Sequence, residues 1–381
     1  MPSVNNRETD RLLLLHRSAS VRQLATMKKK PGAREGACAI VLAVATQAYS
    51  QFEPYLVDLL PVILELCADK MKFVGQMAQE VVQKIVEGIN PYAAPYVVPM
   101  LMASMSDEQK WQTHVAALDG LGYMMTAAGE IVGQLMHIIV PKVAAMMWEM
   151  KQEVRDAAAK CLLDVCGCID NRDIEPFVPA LISCINQPEE VPECIHQLAA
   201  TTFVQTVDGA ALSIVVPLLT RAFAEKETSI LRLTAVIIAN MSKLVDEPSD
   251  AECFMGDIYD KLKIQSEEMS NPEARGVCVR GLQNLDSIKN RMAAQPRKVL
   301  TYDAELPKVV AATGLEHKPE SDAYGVIALN YVAQICVAMS NSRHFEEKSW
   351  TDTYSNCLGA LAGADKAKDC LLYTSPSPRD A

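Results

Sequence analysis

The sequence predicts an all-α chain built from a repeated pair of helices, and three observations lead to that prediction. Hydrophobic residues make up 50% of the 381 residues, whereas aromatic residues make up only 6%. This composition suits helices that pack through small side chains better than it suits a β-rich core. Apolar residues also recur at helical spacing in successive segments. Finally, prolines in similar apolar contexts recur at Pro61, Pro99, Pro141, Pro179 and Pro217.

The intervals between these prolines are 38, 42, 38 and 38 residues. A period of about 40 with two helices per repeat is typical of HEAT and armadillo repeats, in which each pair buries its apolar face by stacking on its neighbours. The clearest copies lie between Gln187 and Asp246. The sequence therefore predicts a HEAT-repeat α-solenoid of about six helix pairs, stacked with a right-handed twist. Each proline is expected near the start of the first helix of its repeat.

A basic leader of residues 1–30 is the first predicted element. The first 36 residues carry eight lysine and arginine residues against three acidic ones, which is typical of a solvated, disordered arm. The run Lys28-Lys29-Lys30 could also dock on phosphate. Because the whole chain has a net charge of -11 and these residues contribute +5, the remainder carries -16. A body this acidic is repelled by bare nucleic acid, so no DNA partner is expected.

Helical periodicity next predicts one unpaired helix over residues 36–49 and then the helix pairs. The pairs are predicted at 55–66 with 73–89, 96–105 with 111–127, 138–148 with 154–169, from 177 with 191–207, from 214 with 230–245, and within 254–285. Arg155 and Arg232 stand at the start of second helices and can link neighbouring repeats through carboxylates. We expect this polar ladder in preference to ligand contacts.

The sequence contains no constellation typical of an enzyme or a metal site. Twelve cysteines are scattered without a CxxC pair, and the tightest group lies within the predicted helix 154–169, so thiols in a hydrophobic core and a reducing, cytoplasmic setting are expected. His114, His137 and His196 stand singly on predicted helices. No G-x-x-x-x-G-K-[ST] phosphate loop occurs, and no apolar run reaches the about 18 residues of a membrane span. We therefore expect no cofactor and no membrane partner.

Several motifs give the repeats a closer resemblance. They are Lys110-Trp111-Gln112, Met147-Trp148 with Glu153-Val154, Asp170-Asn171-Arg172-Asp173-Ile174-Glu175, Glu190-Val191-Pro192-Glu193, Ala200-Thr201-Thr202-Phe203-Val204, Leu212 to Leu219, and Ala235 to Met241. With these motifs the segment from about Pro31 to Leu285 closely resembles the HEAT domain of translation elongation factor three. The resemblance continues more weakly from Leu306 to about Asp369, where Tyr331-Val332-Ala333 and Ser349-Trp350 are similar to the helical bundle that follows in that family.

The resemblance divides the chain into four segments. They are a basic leader at 1–30, a HEAT-repeat solenoid at 31–290, a partial helical bundle at 291–369, and a tail at 370–381 that follows no helical pattern and is expected to be non-native. The family continues into two ATP-binding cassettes that this sequence lacks, so the chain is interpreted as truncated. ATP and magnesium are implied for a full-length parent ATPase, and no enzyme activity is expected of this chain.

The resemblance implies a ribosome-binding solenoid whose parent uses its cassettes to drive release of deacylated tRNA from the ribosomal exit site. Its partners would be ribosomal RNA and ribosomal proteins. The candidate contacts are basic residues at or beside the matching motifs, namely Lys110, Lys142, Arg221, Arg232 and Lys243. Each of them could equally serve solubility or pairing between repeats. The alternative function left open is a stand-alone HEAT adaptor, of the translational-control or nuclear-import kind, that binds proteins along one face.

Overall fold

The computed structural model describes residues 21–47, 49–294, 300–313 and 324–340. Within these ranges every regular element is a helix and no residue belongs to a β-strand. The predicted all-α fold is confirmed. The tail at 370–381 and the motif Ser349-Trp350 lie outside the described residues.

The α-helices are numbered here in chain order. Their bounds are α1 Pro31–Gln47, α2 Tyr49–Leu66, α3 Lys72–Glu87, α4 Ala94–Ala103, α5 Trp111–Gln134, α6 Met136–Met146, α7 Gln152–Cys166, α8 Val178–Asn186, α9 Val191–Ala200, α10 Gly209–Ala222, α11 Thr228–Met241, α12 Pro248–Glu268, α13 Pro272–Ala294, α14 Tyr302–Thr313 and α15 Tyr324–Ser340. Short 3₁₀ helices lie at Pro91–Ala93, Glu175–Phe177 and Pro188–Glu190.

Helices α2 to α13 form consecutive pairs, each with a first helix (α2, α4, α6, α8, α10, α12) and a second helix (α3, α5, α7, α9, α11, α13). In α3, Val74, Ala78 and Ile85 are buried, so one face of the helix packs on its neighbours. A Cβ at Gly75 would lie 3.0 Å from the carbonyl oxygen of Cys67. Glycine therefore lets α3 approach the end of α2 this closely.

The repeating prolines lie inside most of the first helices, so the prediction that they mark helix starts is wrong for four of the five. Pro179 is the second residue of α8. Pro61, Pro99, Pro141 and Pro217 lie within α2, α4, α6 and α10. A proline inside a helix removes one backbone N–H donor. The first three of these four are exposed, so each of these rings lies at the surface of its helix.

The second helix of repeat four is shorter than predicted, because α9 ends at Ala200. Residues 201–208 continue as an irregular segment. Asp173 holds this segment, since its Oδ2 accepts the backbone N–H of Val204 at 2.7 Å and that of Gln205 at 2.9 Å. The hydrogen bonds from Gln205 and Val204 hold the pKa of Asp173 below its usual value. Asp173, which belongs to one of the motifs that carry the family resemblance, thus has a structural role.

The described end of the predicted leader belongs to the packed fold. Val21 and Ala25 are buried on a helical turn. Arg34 Nη1 donates to the carbonyl oxygens of Met27 and the following residue at 2.8 and 3.0 Å. Two apolar side chains and the guanidinium of Arg34 thus hold the described part of the leader, while the prediction of a disordered arm at 1–30 stays a prediction.

The chain divides into two compact units. Unit one contains the described residues up to Ala128 and those from Leu300 onward, and unit two contains residues 129–294. The division falls where the non-helical φ of -137° at Ala128 interrupts α5. Within unit one, α15 packs on α2, on α4 and on the 3₁₀ helix that precedes α4. The segment limits drawn from the sequence stay predictions.

Candidate functional site

Lys110 lies at the junction of the first two repeats. Its Nζ donates to the carbonyl oxygen of Ala68 at 3.0 Å, just beyond the end of α2. The next residue, Asp69, accepts two hydrogen bonds from Arg34, at 2.6 Å from Nε and 3.0 Å from Nη2. Burial acts to raise the pKa of Asp69, but Arg34, the N–H of Met71 and the charge of Lys110 together bring it below its usual value. Lys110 thus supports a buried ion pair.

Arg221 joins the first helices of repeats four and five. Its Nη1 donates to the carbonyl oxygens of Cys184 and Ile185 at 2.7 and 3.0 Å. These carbonyl groups lie in the last turn of α8, where backbone acceptors have no partner within the helix. A cation at a helix C-terminus also interacts favourably with the helix dipole. Arg221 therefore caps α8 and ties it to α10.

Arg232 pairs with a carboxylate of the next repeat, as the sequence predicts. Its Nη2 lies 2.6 Å from Oε1 of Glu273, which links α11 to α13. The hydrogen bond and charge of Arg232 hold the pKa of Glu273 below its usual value. The side chains are 38% and 69% exposed, and exposed ion pairs contribute little to stability.

The prediction of a link to a neighbouring repeat is wrong for Arg155. Its Nη1 donates to the carbonyl oxygens of Glu149 and Met150 at 2.6 and 3.0 Å, in the turn before its own helix. Arg34 and Arg275 occupy the same fourth position of α1 and α13 and also donate to a carbonyl oxygen six residues earlier. An arginine at this position therefore holds the turn that precedes its helix.

Lys142 and Lys243 differ from the other three candidates. Lys142 is half-buried on α6, and Lys243 is exposed just after α11. Neither side chain makes a hydrogen bond or ion pair within the part of the chain that the structure describes. Both lie in unit two, as do Arg221 and Arg232, whereas Lys110 lies in unit one. The free cations among the candidates are therefore these two lysines.

An apolar groove of about 310 Å³ lies on unit two between α6, α8 and α10. Pro141, Leu181 and Pro217 contribute to its walls, and Trp148 and Arg221 also line it. Trp148 is 58% exposed. The groove lies where α10 packs directly on both α6 and α8.

The sequence contains one signal for this groove that the predictions did not use. Trp148 follows the apolar run of α6 and enters the turn Glu149-Met150-Lys151. Because tryptophan is usually well buried, a tryptophan beside a charged turn indicates a surface that a partner can cover. The spacing of the repeats gives no further signal for the groove, since repeat four keeps the 38-residue spacing of its neighbours.

The described residues contain no group of three or more His, Cys, Asp and Glu side chains that could hold a metal ion. His114 Nε2 and His137 Nδ1 lie 3.0 and 3.1 Å from the carbonyl oxygens of Ser106 and Gln134. In the described ranges no single helix is long and apolar enough to cross a membrane, and only α5 and α6 taken together as a bent pair reach that length and composition.

Stacked helix pairs, clamped to one another by arginine and lysine side chains, place the chain in the class of HEAT-repeat proteins. Two family models match it: the model described as "EF3 N-terminal HEAT repeat" over residues 3–162 and the model described as "Elongation factor 3/GNC1 HEAT repeat" over residues 189–296. The chain belongs to the elongation factor 3 family. The resemblance stated from the sequence motifs is thereby confirmed.

Curated relatives support the same assignment. The chain is 38% identical over 320 residues to Elongation factor 3 of Phytophthora infestans, an alignment that covers 83% of this chain and 30% of the relative. It is 35% identical over 320 residues to Elongation factor 3A of Saccharomyces cerevisiae, covering 84% of this chain and 31% of the relative. The chain thus spans about 30% of the length of these relatives.

Solved structures that align with the chain include Kap121p bound to Pho4p and importin beta in an ammonium sulfate condition. The first is 11% identical with a TM-score of 0.36, and the alignment covers 92% of this chain and 42% of Kap121p. The second is 14% identical with a TM-score of 0.28, and the alignment covers 91% of this chain and 47% of importin beta. Similarities at this level carry no argument about function.

Proposed function

We propose that this chain is the ribosome-docking HEAT region of an elongation factor 3, in which ATP-binding cassettes elsewhere in the full-length protein drive release of deacylated tRNA from the ribosomal exit site. The observation that carries the proposal is the pair of family matches over residues 3–162 and 189–296. A stack of helix pairs supports a docking role, because solenoids present extended surfaces to large partners. The protein acts in the cytoplasm. The chain itself hydrolyses no ATP, and saturable hydrolysis by the purified chain would contradict this.

The proposed contacts with ribosomal phosphates divide into two kinds. Lys142 and Lys243 are cations without a protein partner in the described residues, so they are the proposed direct contacts. Lys110, Arg221 and Arg232 already bond to the protein. Replacing any of these three would weaken binding through the fold as well as through the lost charge.

The test is co-sedimentation of the chain with purified ribosomes across a salt series. A lysine that contacts phosphate displaces a counterion, so the logarithm of the binding constant falls linearly with the logarithm of the salt concentration. The double variant Lys142→Gln with Lys243→Gln is expected to lower the magnitude of that slope by about two.

A control of equal charge replaces two exposed lysines elsewhere in unit two, Lys263→Gln with Lys289→Gln. This variant has the same net charge as the test variant, so it shows whether position or overall charge matters. Absence of co-sedimentation at low salt would contradict the proposal that the chain docks on ribosomes. Docking with equal slopes in both double variants would leave docking standing and remove Lys142 and Lys243 from it.

A further inference from the structure

The groove on unit two is lined mainly by apolar side chains, as expected of a surface that binds a row of apolar side chains from a partner. Its walls come from three successive first helices, with Pro141 on α6, Leu181 on α8, and Pro217 and Leu218 on α10. Trp148 adds a large aromatic surface that is left 58% exposed. A tryptophan in an open apolar groove is the type of side chain that contributes most to protein–protein binding.

One fixed positive charge lies beside this apolar surface. The hydrogen bonds of Arg221 to Cys184 and Ile185 both use Nη1. A guanidinium has five N–H donors in a planar fork, so donors on Nε and Nη2 are left for a further acceptor. Because the bonds to α8 already hold the guanidinium in place, pairing with a carboxylate costs less side-chain entropy than it would for a free arginine.

Unit one shows what covers the corresponding surface of its own repeats. There α15 packs on the first helices α2 and α4, and the ring of Tyr331 meets the ring of Tyr96 edge-on at 5.9 Å. Tyr96 stands three residues before Pro99 of α4, and Ile214, which lines the groove, stands three residues before Pro217 of α10. The same register position of a first helix therefore contacts a helix in unit one and lines the groove in unit two.

We infer that the groove binds an amphipathic α-helix of a partner protein. Aliphatic side chains on one face of that helix pack against Trp148, Pro141 and Pro217, and an acidic residue beside them pairs with Arg221. A protein helix is favoured over an unstacked RNA base because a helix, α15, packs at the same register position of a first helix in unit one. This inference does not depend on ribosome docking.

The test measures binding of fluorescein-labelled peptides to the full 381-residue chain by fluorescence anisotropy. The first peptide is an acetylated and amidated helix of about sixteen residues, about 24 Å long, with leucines along one face and glutamates beside them. The second has lysine in place of each glutamate, the third has the composition of the first in scrambled order, and the fourth probe is a labelled oligouridine. The first peptide is expected to bind with a dissociation constant of about 10–100 µM, and the second and third at least about fivefold more weakly.

Two groove variants and one control locate the binding. Ala145 lines the groove on an exposed position of α6, so Ala145→Gln fills the groove without loss of a buried side chain. Trp148→Ala removes its aromatic surface. Each is expected to weaken the first peptide about tenfold. Leu163→Ala, which truncates another exposed apolar side chain of unit two, is expected to leave binding unchanged.

Thermal unfolding of each variant separates a groove effect from loss of fold. The inference is overturned if the first peptide does not bind, if it binds equally to the Ala145→Gln and Trp148→Ala chains, or if the lysine or scrambled peptide binds as tightly. Oligouridine binding that the same two variants abolish would overturn it in favour of RNA. None of these results depends on ribosomes, so failure here and failure of ribosome docking are distinguishable.

Discussion

The two units differ in what covers the faces of their first helices. In unit one, α15 lies on α2 and α4, and Tyr331 donates a hydrogen bond to Glu53 at 2.9 Å. In unit two the groove between α6, α8 and α10 is open, and Trp148 is 58% exposed. Repeats of one period therefore share a fold without sharing a surface. The difference teaches that the binding properties of such a stack depend on which first helices remain uncovered.

The largest expected effect comes from the buried ion pair that anchors unit one. Arg34 and Asp69 are only 10% and 8% exposed at their side chains. Arg34→Ala would leave a buried carboxylate unpaired, and we expect a loss of about 3 kcal/mol in the free energy of unfolding. Hydrogen exchange read separately for the two units should show faster exchange in α1 to α3 and little change in unit two.

The acid dependence of this pair has a definite sign. Because the pKa of Asp69 lies below its ordinary 3.8 in the folded chain, its contribution is present above that value and is lost as the pH falls through the folded pKa. Arg155→Ala is the matched control, since it removes an arginine at the same helix position in unit two whose partners do not titrate. An acid dependence that is unchanged in Arg34→Ala would contradict the assignment.

Weakening the contact between α15 and α2 should cost less stability than breaking the ion pair of Arg34 and Asp69. Glu53 accepts hydrogen bonds from the N–H of Asn90 at 2.8 Å and from Tyr331. Tyr331→Phe removes one of them, and we expect about 1 kcal/mol of lost stability in unit one. Tyr92→Phe, a change of the same kind on the neighbouring 3₁₀ helix, is the control.

The stability lost in Tyr331→Phe should grow as the pH rises. Burial raises the pKa of Glu53 above its ordinary 4.5, against the effect of its two hydrogen bonds. A raised carboxyl pKa means that the contribution of the group is largest at low pH and declines as the pH rises through the folded pKa. Because Tyr331 stabilises the charged carboxylate most, urea unfolding across a pH series that starts near the ordinary pKa of a glutamate should show a deficit of Tyr331→Phe that grows as the pH rises. Equal deficits would indicate that the hydroxyl does not bond to Glu53.

Removing the carboxylate of Asp173 should speed hydrogen exchange only in the irregular segment 201–208 that it holds. Asp173→Ala removes the acceptor of two backbone N–H groups, so Val204 and Gln205 should exchange their amide hydrogens at least about tenfold faster. The helices α8 and α10 should exchange as before. Asp170→Ala, at an exposed position of the same motif, is the control, and equal acceleration in both variants would rule out the specific role of Asp173.

The smallest effect is expected between the second helices of unit two. Arg232→Ala breaks the exposed ion pair with Glu273, and such pairs in water contribute little. The thermal midpoint should stay the same within measurement error. A clear decrease would mean that charge pairing between second helices, rather than packing, holds repeats five and six together.

Periodicity predicts most of the fold because each helix pair repeats the same local rule. The spacing of apolar residues predicts the helices, and the spacing of the prolines predicts the length of the repeat. The sequence does not predict that α9 stops at Ala200, since the carboxylate that holds the next segment lies 31 residues earlier, at Asp173. It also cannot predict the position of α15 on α2, because Glu53 and Tyr331 are 278 residues apart and no periodic signal connects them.

The candidate site is predicted less completely, because residue type does not reveal a residue's partner. Lys110, Arg221 and Lys142 are alike in charge, yet two of them bond to backbone carbonyl groups and one makes no such bond in the described residues. The groove depends on how α6, α8 and α10 pack on one another. Arg221, the residue that caps α8, belongs to the next repeat.

The hydrogen bonds, or clamps, that arginine and lysine side chains make to backbone carbonyl groups affect how freely the repeat sequences can diverge in evolution. A peptide carbonyl is present whatever the side chain, so the clamps at Ala68 and Cys184, which join neighbouring repeats, need a particular residue on only one side. A pair such as Arg232 with Glu273 needs two residues to change together. Neighbouring repeats can therefore diverge at every accepting position and remain joined, which lets one architecture carry different surfaces along its length.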